Sequence, residues 1–195
     1  DIYLGGMRAH EFNLHGGAKN NELHIFTTVA DSTRDFRGEL AASAAISRRD
    51  SMRHVSITLQ PSSFRRKEQV WRVTANGIEA NRKRIDIRDF RISNRNDQQE
   101  LSLDGVASRS LSDTLHLELK NFSLAPFTQF AERIGYVIEG RTNGYANVSS
   151  ALRDTEIDAK IDLDSIRINS IPIAAMQLSS RWDFGRSRAS LSVCT

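Results

Sequence analysis

Hydrophobic and polar residues alternate along most of this chain. In ELHIFTTVAD, residues 22–31, the apolar side chains of Leu23, Ile25 and Val29 fall at odd positions, with mostly polar residues between them. A period of two places one side of an extended strand in an apolar environment and the other in water. Similar segments recur every ~10 to 15 residues, separated by Gly, Asn, Asp or Ser, which is typical of antiparallel sheets. The pattern therefore predicts an all-β, antiparallel fold.

Three ten-residue segments share one pattern: RIDIRDFRIS, HLELKNFSLA and KIDLDSIRIN, which begin at positions 84, 116 and 160. In the first segment, the apolar positions change from odd to even between Ile87 and Phe90, which would move them to the other face of a regular strand. An Asp, Asn or Ser stands at each step: Asp89, Asn121 and Ser165. A β-bulge there would restore the face, and a tight reversal is the alternative. Either way, the sequence predicts the same kink or corner in three strands, with Ile85, Leu117 and Ile161 at equivalent sites.

One segment departs from the alternation. Residues 126–134 begin with Pro126, carry Phe127, Phe130 and Ile134 at helical spacing, and are followed by Gly135. Proline in the first turn and glycine after the last turn are common at helix ends, so a short helix is expected near 126–134. No segment has the composition of a linker, and we expect one repeat-containing β domain over residues 1–195. Because the chain begins at Asp1 without a signal peptide, we expect it to be a fragment of a longer chain.

Composition narrows the class of protein. Hydrophobic residues make up 39% and charged residues 26% of the chain, and no apolar run approaches the ~20 residues that a membrane-spanning helix needs. The basic residues are 22 Arg and 5 Lys, with clusters at 64–72 and 81–84. These clusters are consistent with an anionic partner or with a solvated strand face. No nucleic-acid-binding motif accompanies them, so nucleic acid is not an expected partner.

Motifs for catalysis and metal binding are not found in the sequence. His10 and His15 are five residues apart with Glu11 between them, whereas a zincin helix needs two histidines four apart. Cys194 is the single cysteine, and the glycines match neither a P-loop nor a dinucleotide-binding fingerprint. We expect no catalytic residue, no metal site and no cofactor, and therefore no enzymatic activity.

The order of these parts resembles the TamB family, within the AsmA-like envelope proteins. Residues 84–108 run from a strand with Asp-Phe-x-Ile, through a polar turn, to Asp-Gly. Residues 111–144 give a strand with Asn-Phe-x-Leu, the expected helix, and a strand that reaches Glu-Gly. The segments DSTRDFRGEL (31–40) and RWDFG (181–185) are similar to versions from Bacteroidetes-type members. The high Arg content departs from the family's simplest pattern.

The resemblance implies an interior segment of a cell-envelope protein that is anchored at the inner membrane and crosses the periplasm. It implies an elongated, curved antiparallel sheet rolled into an open, apolar groove, often called a β-taco. Family members are implicated in phospholipid transport and in outer-membrane protein assembly with TamA. The implied partners are therefore phospholipid acyl chains and, through the full-length chain, a TamA-like or BamA-like outer-membrane protein.

Apolar residues of the alternating strands are the candidate lining of such a groove: Trp71, Val73, Ile85, Ile87, Leu101, Leu103, Leu115, Leu117, Leu119, Ile161 and Leu163. Their Leu and Ile content suits acyl chains better than stacked sugars. The alternation is equally compatible with a closed β-sandwich whose apolar residues all form its core. An extracellular or periplasmic β-sandwich for binding or adhesion is therefore the alternative function.

Overall fold

The computed structural model describes residues 2–4, 7–31, 36–66, 68–124 and 135–194, with side chains described from residue 11 onward. The chain divides into two compact units, Asp1–Asn96 and Asp97–Thr195. We call them unit 1 and unit 2 and describe each by itself. The expectation of a single domain over residues 1–195 stays a prediction.

The described residues of unit 1 form nine strands: β1 (Ile2–Leu4), β2 (Met7–Lys19), β3 (Glu22–Asp31), β4 (Phe36–Arg49), β5 (Met52–Leu59), β6 (Ser62–Arg66), β7 (Gln69–Thr74), β8 (Gly77–Ala80) and β9 (Ile85–Asn94). They pair in the order β1-β2-β3-β4-β5-β8-β9. The β6–β7 hairpin pairs with β4 through β6 and with β9 through β7. All of these pairs are antiparallel.

The described residues of unit 2 form seven strands: β10 (Gln99–Ala107), β11 (Thr114–Ser123), β12 (Ile138–Ser149), β13 (Glu156–Ile168), β14 (Ile171–Pro172), β15 (Met176–Asp183) and β16 (Arg188–Cys194). Their order is β10-β11-β12-β13-β15-β16, and the short β14 pairs with β13. Every pair in this unit is also antiparallel.

Two-residue turns with left-handed backbone connect several hairpins: Asn20–Asn21, Asp50–Ser51 and Asn169–Ser170, with φ between 48° and 67°. A type I′ turn requires positive φ at both central residues because its twist matches that of the flanking strands. Asn and Asp tolerate this backbone better than most residues, since their short polar side chains bond locally. The turn residues therefore help to set the register of each hairpin.

The prediction of an all-β, antiparallel fold is confirmed. The predicted helix near 126–134 is not borne out: residues 125–134 lie outside the described part of the chain, and the described residues contain no helix. The rolling of the sheet into an open groove stays a prediction.

The predicted corners are present in all three strands. Asp89, Asn121 and Ser165 have φ of 49°, 46° and 53°. In β11, the register with β12 shifts between Leu119 and Phe122, so that three steps along β11 lie opposite two along β12. One extra residue returns Phe122 to the face of Leu119, which is how a bulge preserves an apolar face.

The other two corners form in different ways. In β13, the shift leaves three steps from Asp164 to Arg167 opposite two along β12, from Arg141 to Glu139. In β9, the corner lies where the partner strand changes from β8 to β7, and Asn76 Nδ2 donates a hydrogen bond of 2.7 Å to Asp89 Oδ2. The shared local sequence thus gives the same backbone conformation at all three corners, although the pairing with neighbouring strands differs.

Side-chain amides replace ladder hydrogen bonds at the β11 corner. The backbone N–H of Asn121 donates to Asn143 Oδ1 at 2.7 Å, and that of Ser123 donates to Gln99 Oε1 at 2.9 Å. Gln99 is only 3% exposed. A backbone N–H that has lost its ladder partner needs another acceptor, so these amides stabilise the bulge.

Few apolar side chains are fully enclosed. Among the described residues, the buried hydrophobic ones are Val73, Ala107 and Ile166. The polar Asn94, Gln99 and Thr142 are more deeply buried than Val73. In each unit the described strands form hydrogen-bonded sheet structure, and the apolar side chains of these strands are mostly half-buried.

Candidate functional site

A row of apolar residues crosses the strands of unit 2. Register places its members side by side in the order Leu101, Leu119, Gly144, Ile161, Leu178 and Val193. Directly opposed residues in neighbouring strands point to the same face of a sheet. The row therefore forms a band across six strands on one side, which we call the apolar face of unit 2.

Further rows lie two residues away on the same face. One contains Leu103, Leu117, Ala146, Ala159, Ser180 and Leu191, and another contains Gly105, Leu115, Val148, Ile157, Trp182 and Ala189. The bulge adds Phe122, which lies opposite Thr142, and Thr142 in turn lies opposite Leu163. All seven candidate lining residues in unit 2 thus share this face.

Unit 1 has an equivalent face, which can be traced through β4. Trp71 lies opposite Phe64, which lies opposite Gly38 of β4. Ile87 connects through Ile78 and Ile57 to Ala44 of β4. Even-numbered residues of this continuous strand point to one side. Ile85 lies two residues from Ile87 in β9, and Val73 lies two residues from Trp71 in β7. The four candidate lining residues in unit 1 therefore share one face, which we call the apolar face of unit 1.

These faces are not covered by other described parts of their units. Val73 is 9% exposed, but the remaining candidate lining residues are only half-buried. Large hydrophobic side chains on the same faces are more open: Ile46 is 50%, Trp182 43% and Leu191 67% exposed. Contiguous apolar surface of this kind commonly marks a site for a ligand or partner.

Charged and polar residues occupy the opposite face of unit 2. Arg181 donates from Nε and Nη2 to Asp158 Oδ2 at 3.1 and 2.8 Å, and its hydrogen bonds to this carboxylate raise the pKa of the guanidinium. Lys120 Nζ lies 3.1 Å from Glu118 Oε2, and that interaction raises the pKa of Lys120. Both cations remain protonated at neutral pH, so this face stays hydrated and distinct from the apolar one.

No protein-family model, curated protein or solved structure matches this chain.

The described residues contain no group of three or more His, Cys, Asp or Glu side chains placed to hold a metal ion. No helix in the described segments is long and apolar enough to cross a membrane. One open surface depression of about 500 Å³ is lined largely by polar residues, among them Asp162, Asp164 and Gln177.

Sequence reasoning missed several residues of the apolar faces: Ile46, Val55, Ile57, Phe64, Ile78, Ile157, Leu178, Trp182, Leu191 and Val193. Most of them obey the same alternation, which was the available signal. Phe64 also contacts the Trp71 ring face to face, with centroids 5.9 Å apart. A face extends as far as its strands pair, and alternation within one strand does not reveal which strands are neighbours.

Proposed function

We propose that this chain is a segment of a periplasm-spanning envelope protein, anchored at the inner membrane, that supports phospholipid transport, outer-membrane protein assembly or both. In this proposal, the apolar faces carry acyl chains. A TamA-like or BamA-like outer-membrane protein is the partner of the full-length chain, and the role is not enzymatic. The observation that carries the proposal is the uncovered band of Leu and Ile side chains across the strands of each unit.

The chemistry of the faces favours a chain-like apolar ligand. Each methylene group that is fully removed from water gains ~0.8 kcal/mol, so a chain that buries several carbons on such a surface gains useful affinity. Rows of similar residues repeat from strand to strand, and such rows offer a series of comparable weak sites. A lipid can pass along such a series, whereas a single deep pocket would retain it.

The alternative of an adhesive β-sandwich has less support. A sandwich fills its interior with the apolar faces of two packed sheets, whereas the described residues include only three buried hydrophobic side chains. Of the two tryptophans, Trp71 stacks on Phe64 within a strand pair, and Trp182 lies opposite Ile157. Neither lies on a loop, where a carbohydrate-binding platform would present it.

Tryptophan fluorescence tests the proposed ligand class, because Trp71 and Trp182 both belong to the apolar faces. Titration of the purified chain with dodecyl maltoside, below its micellar concentration, is expected to shift the emission to shorter wavelength and to saturate. Maltose, which has the same head group without the chain, is expected to cause no shift. An unchanged spectrum with dodecyl maltoside, or an equal shift with maltose, would contradict the proposal.

A further inference from the structure

Three turns of unit 1 lie along one edge of its sheet. Because β2-β3-β4-β5-β8-β9 are consecutive antiparallel neighbours, the β2–β3, β4–β5 and β8–β9 connections all fall at the same ends of the strands. The last apolar row before this edge consists of Ile46, Val55, Ala80 and Ile85. The apolar face of unit 1 therefore ends directly at these turns.

Cationic side chains concentrate at this edge, and we call them the basic rim: Lys19, Arg48, Arg49, Arg53, Arg82, Lys83 and Arg84. All of them are exposed. Four carboxylates lie nearby. Asp86 lies 3.4 Å from Arg84, and Glu79, opposite Asp86, lies 2.7 Å from Arg88. Glu22 lies 3.6 Å from His24, and Asp50 occupies the β4–β5 turn. Positive charge is therefore in excess along the rim.

Arg48 and Arg53 occupy a special position within the basic rim. They lie directly opposite each other in the β4–β5 pair, two residues beyond the Ile46–Val55 pair. Arg48 has the same parity along β4 as Ile46, so both arginines belong to the apolar face. Neither forms an ion pair with any described carboxylate. Like charges directly opposed across strands repel each other, and an anion between them would relieve that repulsion.

The turns of unit 2 differ in charge balance. In the β12–β13 turn, Arg153 Nε lies 3.2 Å from Asp154. In the β15–β16 turn, Arg186 lies 3.6 Å from Asp183 and its backbone N–H donates to the same carboxylate at 2.9 Å. Arg153 and Arg186 at these two turns are therefore each paired with a nearby carboxylate, unlike Arg48 and Arg53.

We propose that the basic rim binds the phosphate group of an anionic amphiphile whose hydrocarbon chain lies on the apolar face of unit 1. Arg48 and Arg53 make the direct contacts, because a guanidinium donates paired hydrogen bonds to phosphate oxygens. The inference rests on the proposed function and adds a head-group preference to it. A chain with a phosphate head satisfies both surfaces at once, whereas an uncharged head leaves the two arginines facing each other.

Two amphiphiles with the same twelve-carbon chain test this inference: dodecyl phosphate and dodecyl maltoside. We expect the unsubstituted protein to bind dodecyl phosphate more tightly than dodecyl maltoside. The double variant Arg48→Ala/Arg53→Ala is expected to lose about tenfold in affinity for dodecyl phosphate, with affinity for dodecyl maltoside unchanged. Removing a repelling pair should not unfold the sheet, and the circular dichroism spectrum checks this.

Arg37→Ala/Arg65→Ala is the matched control, because these two arginines are also directly opposed but lie on the polar side of β4. We expect this variant to keep its preference for dodecyl phosphate. An equal loss in both double variants would show general charge attraction and overturn the rim site, and so would no loss in the first variant. If dodecyl maltoside binds and only the head-group preference is absent, this inference fails alone. If neither amphiphile binds, the proposed function fails with it.

Discussion

Replacing Leu117 by Asp is expected to weaken acyl-chain binding at the apolar face of unit 2 strongly while leaving the sheet folded. Leu117 lies between Leu103 and Ala146 in the middle of the face. A carboxylate there removes apolar contact and must lose water when a chain covers it. We expect a loss of about 2 kcal/mol or more in binding, which is roughly 30-fold in affinity. Without ligand, the half-buried Asp side chain reaches solvent, so the free energy of unfolding should change little.

Glu118→Arg is the matched control for this change, because Glu118 is the next residue of β11 and points to the polar face. It lies opposite Ser102 and Tyr145 and contacts Lys120. Exchanging an exposed charge costs little, since exposed ion pairs contribute less than ~1 kcal/mol. Binding of dodecyl maltoside by the two purified variants is the measurement. Similar losses in both variants would mean that the two faces are not functionally different.

Gly140→Ala is expected to lower the free energy of unfolding by about 3 kcal/mol, which combines backbone strain and overpacking. Gly140 has φ of 137°, in a region that residues with a Cβ rarely adopt. It lies opposite the β13 corner, where an added Cβ would be 3.0 Å from Ile166 Cα and 3.1 Å from Ser165 O. Backbone atoms cannot move aside as a flexible side chain would, so the corner itself would have to shift.

Gly17→Ala provides the comparison, because no atom lies within 4 Å of the Cβ that would be added there. Urea denaturation of both variants measures the difference. A change of less than ~0.5 kcal/mol, typical of surface substitutions, is expected for Gly17→Ala. If Gly140→Ala were equally mild, the tight corner between β12 and β13 would not be an important feature of the fold.

Local signals in the sequence predict strands, faces and corners well. Alternation of Leu115, Leu117 and Leu119 predicts both a strand and the face that it presents, because the side-chain period of a strand is two. The change of parity before Phe122 predicts the bulge, since register on a one-sided sheet is strongly specified. Asn121 indicates the position of the bulge because Asn tolerates a left-handed backbone.

Pairing between distant segments is not encoded so locally. The β6–β7 hairpin lies between β4 and β9, and this brings Arg65 opposite Arg37, a like-charge pair that favourable pairwise contacts would not suggest. Leu178 and Val193 extend the row that includes Ile161 only because β15 and β16 follow β13 in the sheet. The basic rim has the same origin, since residues 48 and 82 meet at one edge through strand order.

Photo-crosslinking in living cells tests the central claim most directly. A benzophenone amino acid is placed at position 103, 117 or 118 of the protein, and the adducts are analysed for phospholipid after irradiation. Residues 103 and 117 lie opposite each other on the apolar face of unit 2, and residue 118 points to the polar face. We predict phospholipid adducts at positions 103 and 117 and none at 118. Equal adducts at all three positions, or none at any, would contradict the assignment of the apolar face as a lipid-carrying surface.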